Sequence, residues 1–164
     1  SVANMSLGGG KVIAVNDAVE NAIKARVTVV VAAGNNNANA CNYSPASAPN
    51  AVTVGATDNL DRKASFSNWG ECVDLFAPGV GITSDWIGSN TAINTISGTS
   101  MAAPFVAGMA AMELELNPSA TAGEVATEIA REATRDRVTN LPISPMGTRN
   151  LLEYTGNVLI TPPF

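Results

Sequence analysis

A serine hydroxyl can do chemistry when it stands at a rigid turn beside free backbone donors. The run S-G-T-S-M-A-A-P-F-V-A-G, from Ser97 to Gly108, has that form. Ser100 lies between Gly98, which predicts a tight turn with close backbone approach, and an apolar stretch that predicts a helix starting at Ser100. The first N–H groups of a helix have no intrahelical partner, and the positive end of its dipole lies there, so an oxyanion formed beside Ser100 would meet donors already in place. Pro104 falls in the first turn of that expected helix, where a missing N–H costs least. The string also has a plainer reading, in which Thr99 or Ser100 only caps a core helix.

Acyl transfer by Ser100 would build charge on the scissile carbonyl oxygen and calls for a second rigid donor. Asn35 is the best candidate: its amide is a neutral double donor, and it follows Gly34 at the end of the run V-T-V-V-V-A-A. The plainer reading makes Asn35, Asn36 and Asn37 a polar loop, since asparagine tolerates left-handed backbone.

These residues need a scaffold. A chain of 164 residues has room for one domain with a sizeable core. Its net charge is −5 and it has no run of Lys or Arg, which argues against a nucleic-acid surface. No stretch reaches the roughly 18 apolar residues of a membrane span, and the start S-V-A-N-M-S has no signal-peptide pattern. The sequence contains no histidine. Of its two cysteines, Cys41 and Cys72, composition alone cannot say whether they are free buried thiols or one disulfide. The triplets at Asn4 and Asn42 fit a glycosylation pattern that arises often by chance.

Along the chain, strands alternate with helices. Val2 to Leu7 predicts a strand ending in Gly8-Gly9-Gly10. Val12, Val15, Val19, Ala22 and Ile23 give one apolar helix face, with Asn16, Asp17, Glu20, Asn21 and Lys24 on the other. Val27 to Ala33 has no polar alternation and suits a parallel strand buried on both faces; Ala51 to Ala56 and Val73 to Ala77 predict two more strands. Met101 to Met112 is apolar all round and predicts a central buried helix. Thr121 and Glu124 form a capping-box pattern before a one-sided stripe, Val125, Ile129, Ala130 and Ala133. Gly147 to Leu152 predicts the start of a short last helix, and Thr161 to Phe164 an irregular tail. The expectation is an α/β fold with a mostly parallel sheet and helices on both faces. Ligands of such sheets bind beyond the carboxyl ends of the strands, where Gly8–Gly10, Gly34–Asn37 and Gly79–Gly81 lie. No phosphate-cradling glycine motif is present.

The string G-T-S-M-A-A-P-F-V-A-G closely resembles the nucleophile segment of the subtilisin-like serine proteases, or subtilases, with Phe105 where most members carry a non-catalytic histidine. V-A-A-G-N-N-N resembles the family's oxyanion block, which makes Asn35 the oxyanion asparagine and Ala32, Ala33 and Gly34 the wall of the primary specificity pocket. M-S-L-G-G-G resembles the segment that pairs with an extended substrate backbone, so Ser6, Leu7 and Gly8 would line it. These blocks and G-T-R-N-L-L imply residues 1–164 as the C-terminal portion of a peptidase catalytic domain, incomplete at its N-terminal side and closest to the proteinase K branch. Peptide or protein substrates with apolar or aromatic side chains would be expected.

The resemblance also implies a Cys41–Cys72 disulfide, an extracellular, secreted setting, and a structural Ca²⁺ held by the carbonyls of Pro49 and Ala51 and the carboxylate of Asp74. By residue type alone, Asp74 reads as an ordinary surface carboxylate. The family's base is a histidine oriented by an aspartate, in blocks upstream of M-S-L-G-G-G, so the missing N-terminal half of the domain would be the first partner of this chain. A different class of function, a peptide-binding or interaction module without catalysis, also accommodates the absent histidine and Phe105. The sedolisin branch would place an aspartate where Asn35 stands.

Overall fold

In the computed structural model, residues 1–142 and 147–155 are described. The chain opens with strand β1 (Val2–Met5), the two-residue strand β2 (Gly9–Gly10) and helix α1 (Ile13–Lys24). Strands β3 (Thr28–Ala32), β4 (Tyr43–Ser44), β5 (Val52–Thr57) and β6 (Leu75–Pro78) follow. A hairpin of β7 (Ile82–Asp85) and β8 (Ile93–Ile96) leads into helix α2 (Thr99–Leu116). Helix α3 (Ala122–Glu132) and the short strands β9 (Thr134–Arg135) and β10 (Leu151–Leu152) complete the elements.

The main sheet has the order β1-β3-β5-β6-β10-β9, and every pairing in it is parallel except β10 with β9. All of β3 is buried, as its unbroken apolar run requires. Its side chains alternate between two layers: Val30 and Ala32 join the core under α2 and α3, while Val29 and Val31 pack with Val19 on the side of α1. The α/β fold with helices on both faces is therefore present. Thr121 caps α3 through the reciprocal bonds with Glu124 that the sequence pattern predicts.

Four expectations change. Gly147 to Leu152 starts no helix; Leu152 pairs with Phe76 of β6 and Leu151 with Arg135, because the edge of β6 offers ladder partners to an apolar pair. Helix α2 buries one face only, through Ala102, Ala103, Val106, Met109 and Ala110, while Pro104, Phe105, Gly108 and Ala111 are exposed among the described residues. Hydrophobicity on every side set the expectation, but neighbours decide burial. Val19, Ala22 and Ile23 of the expected α1 stripe pack into the core, but Val12, just before the helix, is exposed, and Asn16 is buried with its Nδ2 donating to Ser47 Oγ at 2.9 Å. At the start of α2, Gly98 is extended and the close approach occurs elsewhere: a Cβ on Gly79 would lie 2.8 Å from the Gly98 carbonyl oxygen and 2.6 Å from Ala56 Cβ.

Candidate active site

Two loops meet at the carboxyl ends of the central strands, one after β3 and one before α2. Asn35 stands on the first, and its Oδ1 accepts two hydrogen bonds of 2.9 Å, from the backbone N–H and the hydroxyl of Thr99. Thr99 Oγ1 in turn accepts from the Gly34 N–H at 3.1 Å. With its oxygen occupied, the side chain of Asn35 has its Nδ2 group free of protein acceptors among the described residues.

The helix start sorts its own donors. The N–H of Thr99 goes to Asn35 and that of Met101 to the Gly98 carbonyl at 3.0 Å, so the Ser100 N–H is left without a protein acceptor among the described residues. Ser100 is half-buried, and its hydroxyl donates to the Ser6 carbonyl at 3.3 Å. Helix α2 starts at Thr99 rather than Ser100, so Pro104 is the sixth helical residue and lies past the first turn. A proline there withholds the N–H that would bond the Ser100 carbonyl, and Ser6 Oγ donates to that carbonyl instead, at 2.7 Å.

Ser100 and Asn35 line one cavity of about 420 Å³ together with Leu7, Gly8, Ala32, Ala33 and Gly34. Ser6 reaches it through its two bonds to Ser100. Gly9 and Gly10 pair with Ser44 and Tyr43 of β4, which closes the far wall. Ala32 and Ala33 in its wall have only methyl side chains.

The second predicted site lies apart. Asp74 Oδ2 accepts from the Thr53 N–H at 2.9 Å, and the Asp74 N–H donates to the Thr53 carbonyl at 2.9 Å, which ties it beside the segment that begins with Ala51. Burial pushes its carboxyl pKa up, against the opposing pull of the Thr53 hydrogen bond and Arg149. Arg149 Nη1 is 3.4 Å from Asp74 Oδ1, and both line a cavity of about 470 Å³. No group of three or more His, Cys, Asp or Glu converges among the described residues, so a cation at Asp74 would depend on backbone carbonyls such as those of Pro49 and Ala51. An oxygen-only donor set of that kind fits Ca²⁺, and Arg149 would compete with it. Cys41 and Cys72 are joined in a disulfide, 31 residues apart in sequence.

Thr99, Asn68 and Lys63 support the Asn35 loop without having been singled out for it in the sequence. Asn68 and Lys63 lie 26 to 35 residues from the loop atoms they touch, and no local pattern signals such contacts.

Comparison with known proteins gives the class: residues 1–152 match the subtilase family, peptidase S8, and the chain belongs to that family. The chain is 53% identical, over its whole length, to 38% of an extracellular serine proteinase of Thermus sp. (strain Rt41A). It is 54% identical over 96% of its length to subtilisin-like protease 2 of Pseudogymnoascus destructans (strain ATCC MYA-4855 / 20631-21), again covering 38% of that protein. Among solved structures, a cold-adapted subtilisin-like serine proteinase superposes with a TM-score of 0.87 at 49% identity, over 94% of this chain and 54% of that one. The chain thus spans 38% of the length of these curated relatives.

Proposed function

We propose that residues 1–164 carry the nucleophile, oxyanion donors and substrate-binding walls of a secreted serine endopeptidase. The observation that carries this reading is the pair of unspent donors flanking Ser100: its own N–H and Asn35 Nδ2, the latter oriented by Thr99. Ser100 Oγ attacks the scissile carbonyl carbon, a C–O bond forms, and the π electrons of the carbonyl move onto its oxygen, where those two donors stabilise them. Collapse of that intermediate breaks the C–N bond, the amine leaves with the proton that the base took from Ser100, and the remaining acyl-enzyme is hydrolysed by water to the acid and free Ser100.

The proton on Ser100 needs a base, and a chain without histidine has no side chain of suitable pKa beside it. The base and its orienting carboxylate are supplied from outside residues 1–164, in the segment that the family resemblance places upstream. The extended stretch at Ser6 to Gly8 takes the substrate backbone, and Ala32 to Gly34 face an apolar or aromatic side chain. Ca²⁺ held by Asp74 and the carbonyls of Pro49 and Ala51 would neutralise a half-buried carboxylate and brace the turn before β5. Secretion agrees with the name of the Thermus relative and with the Cys41–Cys72 disulfide; among the described residues no helix is long and apolar enough to cross a membrane.

The test is peptidase activity of the chain joined to that upstream segment, hereafter the completed protein. Activity that disappears with Ser100→Ala is expected. A folded completed protein that binds peptides and cleaves none would favour the non-catalytic module.

A further inference from the structure

Building on the peptidase reading, we propose that Asn68 and Lys63 are positioning residues for the oxyanion donor, fixing the backbone that carries Asn35. After β3 the chain leaves the sheet, and the polar groups of its loop need partners from elsewhere. Asn68, fully buried, provides them on both sides of Asn35. Its Oδ1 accepts from the N–H groups of Asn36 and Ala38 at 3.0 Å each, its Nδ2 donates to the Ala33 carbonyl at 2.8 Å, and its N–H donates to the Gly34 carbonyl at 2.9 Å. Gly34 makes this possible: its φ is +101°, and a Cβ there would lie 2.4 Å from Asn68 Nδ2.

Lys63 fastens the far end of the loop. Its ammonium donates to Asn37 Oδ1 at 3.1 Å and to the carbonyls of Ala64 and Ser67 at 3.0 Å each, and no carboxylate pairs with it among the described residues. A lysine 8% exposed with only neutral acceptors is expensive, and its burial pulls the ammonium pKa down. Packing alone would be served by an apolar side chain without that cost. The three donors instead bind the Asn37 side chain to the turn that leads into Asn68. Asn35 is thereby held from two directions, its amide oxygen by Thr99 and its flanking backbone by Asn68, while Lys63 anchors the Asn37 side chain two residues on.

The test is a kinetic double-mutant cycle in the completed protein. Lys63→Met is expected to lower kcat about tenfold to a hundredfold with KM unchanged, the scale of a small misplacement of a catalytic group. Lys63→Arg is expected to recover most of the loss. In an Asn35→Ala background, Lys63→Met is expected to change kcat by less than about twofold, since its effect runs through Asn35. An unchanged kcat, or the same loss with and without Asn35, overturns the proposal. If Lys63→Met does not fold, Asn37→Gly removes the same contact from an exposed position and is read by the same criteria. Failure of the peptidase reading shows separately, as activity that survives Ser100→Ala.

Discussion

Ser6 and Ser100 are joined by two hydrogen bonds, and the shorter one replaces a bond that the helix cannot make. Pro104 has no N–H to give the Ser100 carbonyl, and the Ser6 hydroxyl donates to it at 2.7 Å while the Ser100 hydroxyl donates back to the Ser6 carbonyl at 3.3 Å. The segment proposed to hold substrate is thus tied directly to the residue proposed to attack it.

Ser6→Ala should leave that carbonyl without a donor and destabilise the completed protein by about 1–2 kcal/mol. Pro104→Ala restores a helical N–H, so Ser6→Ala in that background should cost clearly less. Urea midpoints of the four proteins decide; equal costs in both backgrounds would mean that Ser6 and Pro104 act independently.

Asn35→Ala should lower kcat by about 10²–10³ with little change in KM, because the oxyanion exists only beyond the ground state. Steady-state kinetics on one peptide substrate separates the two parameters. A loss confined to KM would assign Asn35 to substrate binding.

Reduction of Cys41–Cys72 opens a loop closed across 31 residues, which chain entropy values at roughly 3–4 kcal/mol. Denaturant unfolding with and without reductant should show that difference. Intact-mass measurement before reduction should show no free thiol.

Burial, with Glu132 and Glu128 nearby, pushes the Glu113 carboxyl pKa above its ordinary 4.5. The folded chain then binds this proton more tightly than the unfolded one, so the group's contribution is complete below the unfolded pKa and is lost as pH rises through the folded one. Glu113→Gln should raise the thermal midpoint at about pH 7 and leave it unchanged at about pH 4 or below. A midpoint lowered at neutral pH would contradict the sign.

For the proposed cation site, calcium should raise the thermal midpoint of the completed protein, and Asp74→Asn should remove part of that rise. Arg149→Ala should enlarge it, since the guanidinium no longer competes for Asp74. Calcium titration followed by calorimetry reads both.

Much of the scaffold was legible because local rules decided it. The unbroken run of β3 could only be a strand covered on both faces, and Thr121 with Glu124 announced the start of α3. Ser100 and Asn35 stood out in the sequence as candidates, and they line one cavity at the strand ends that the α/β pattern brings together. The hairpin β7–β8 was not read, since Ile82-Thr-Ser-Asp and Ile93-Asn-Thr-Ile are short and mostly exposed. Nor was the strand at Leu151–Leu152, whose conformation is set by the open edge of β6. The supports of Asn35 stayed hidden for a related reason: across the fold, Asn68 reaches backbone groups and Lys63 reaches the Asn37 side chain, and no local pattern marks such contacts.

Whether Ser100 is the nucleophile is decided by mapping the adduct of a serine-directed phosphonate on the completed protein by peptide mass spectrometry. One adduct is expected, on Ser100, and none on Ser100→Ala. An adduct on another residue, or labelling that persists in Ser100→Ala, would contradict that role.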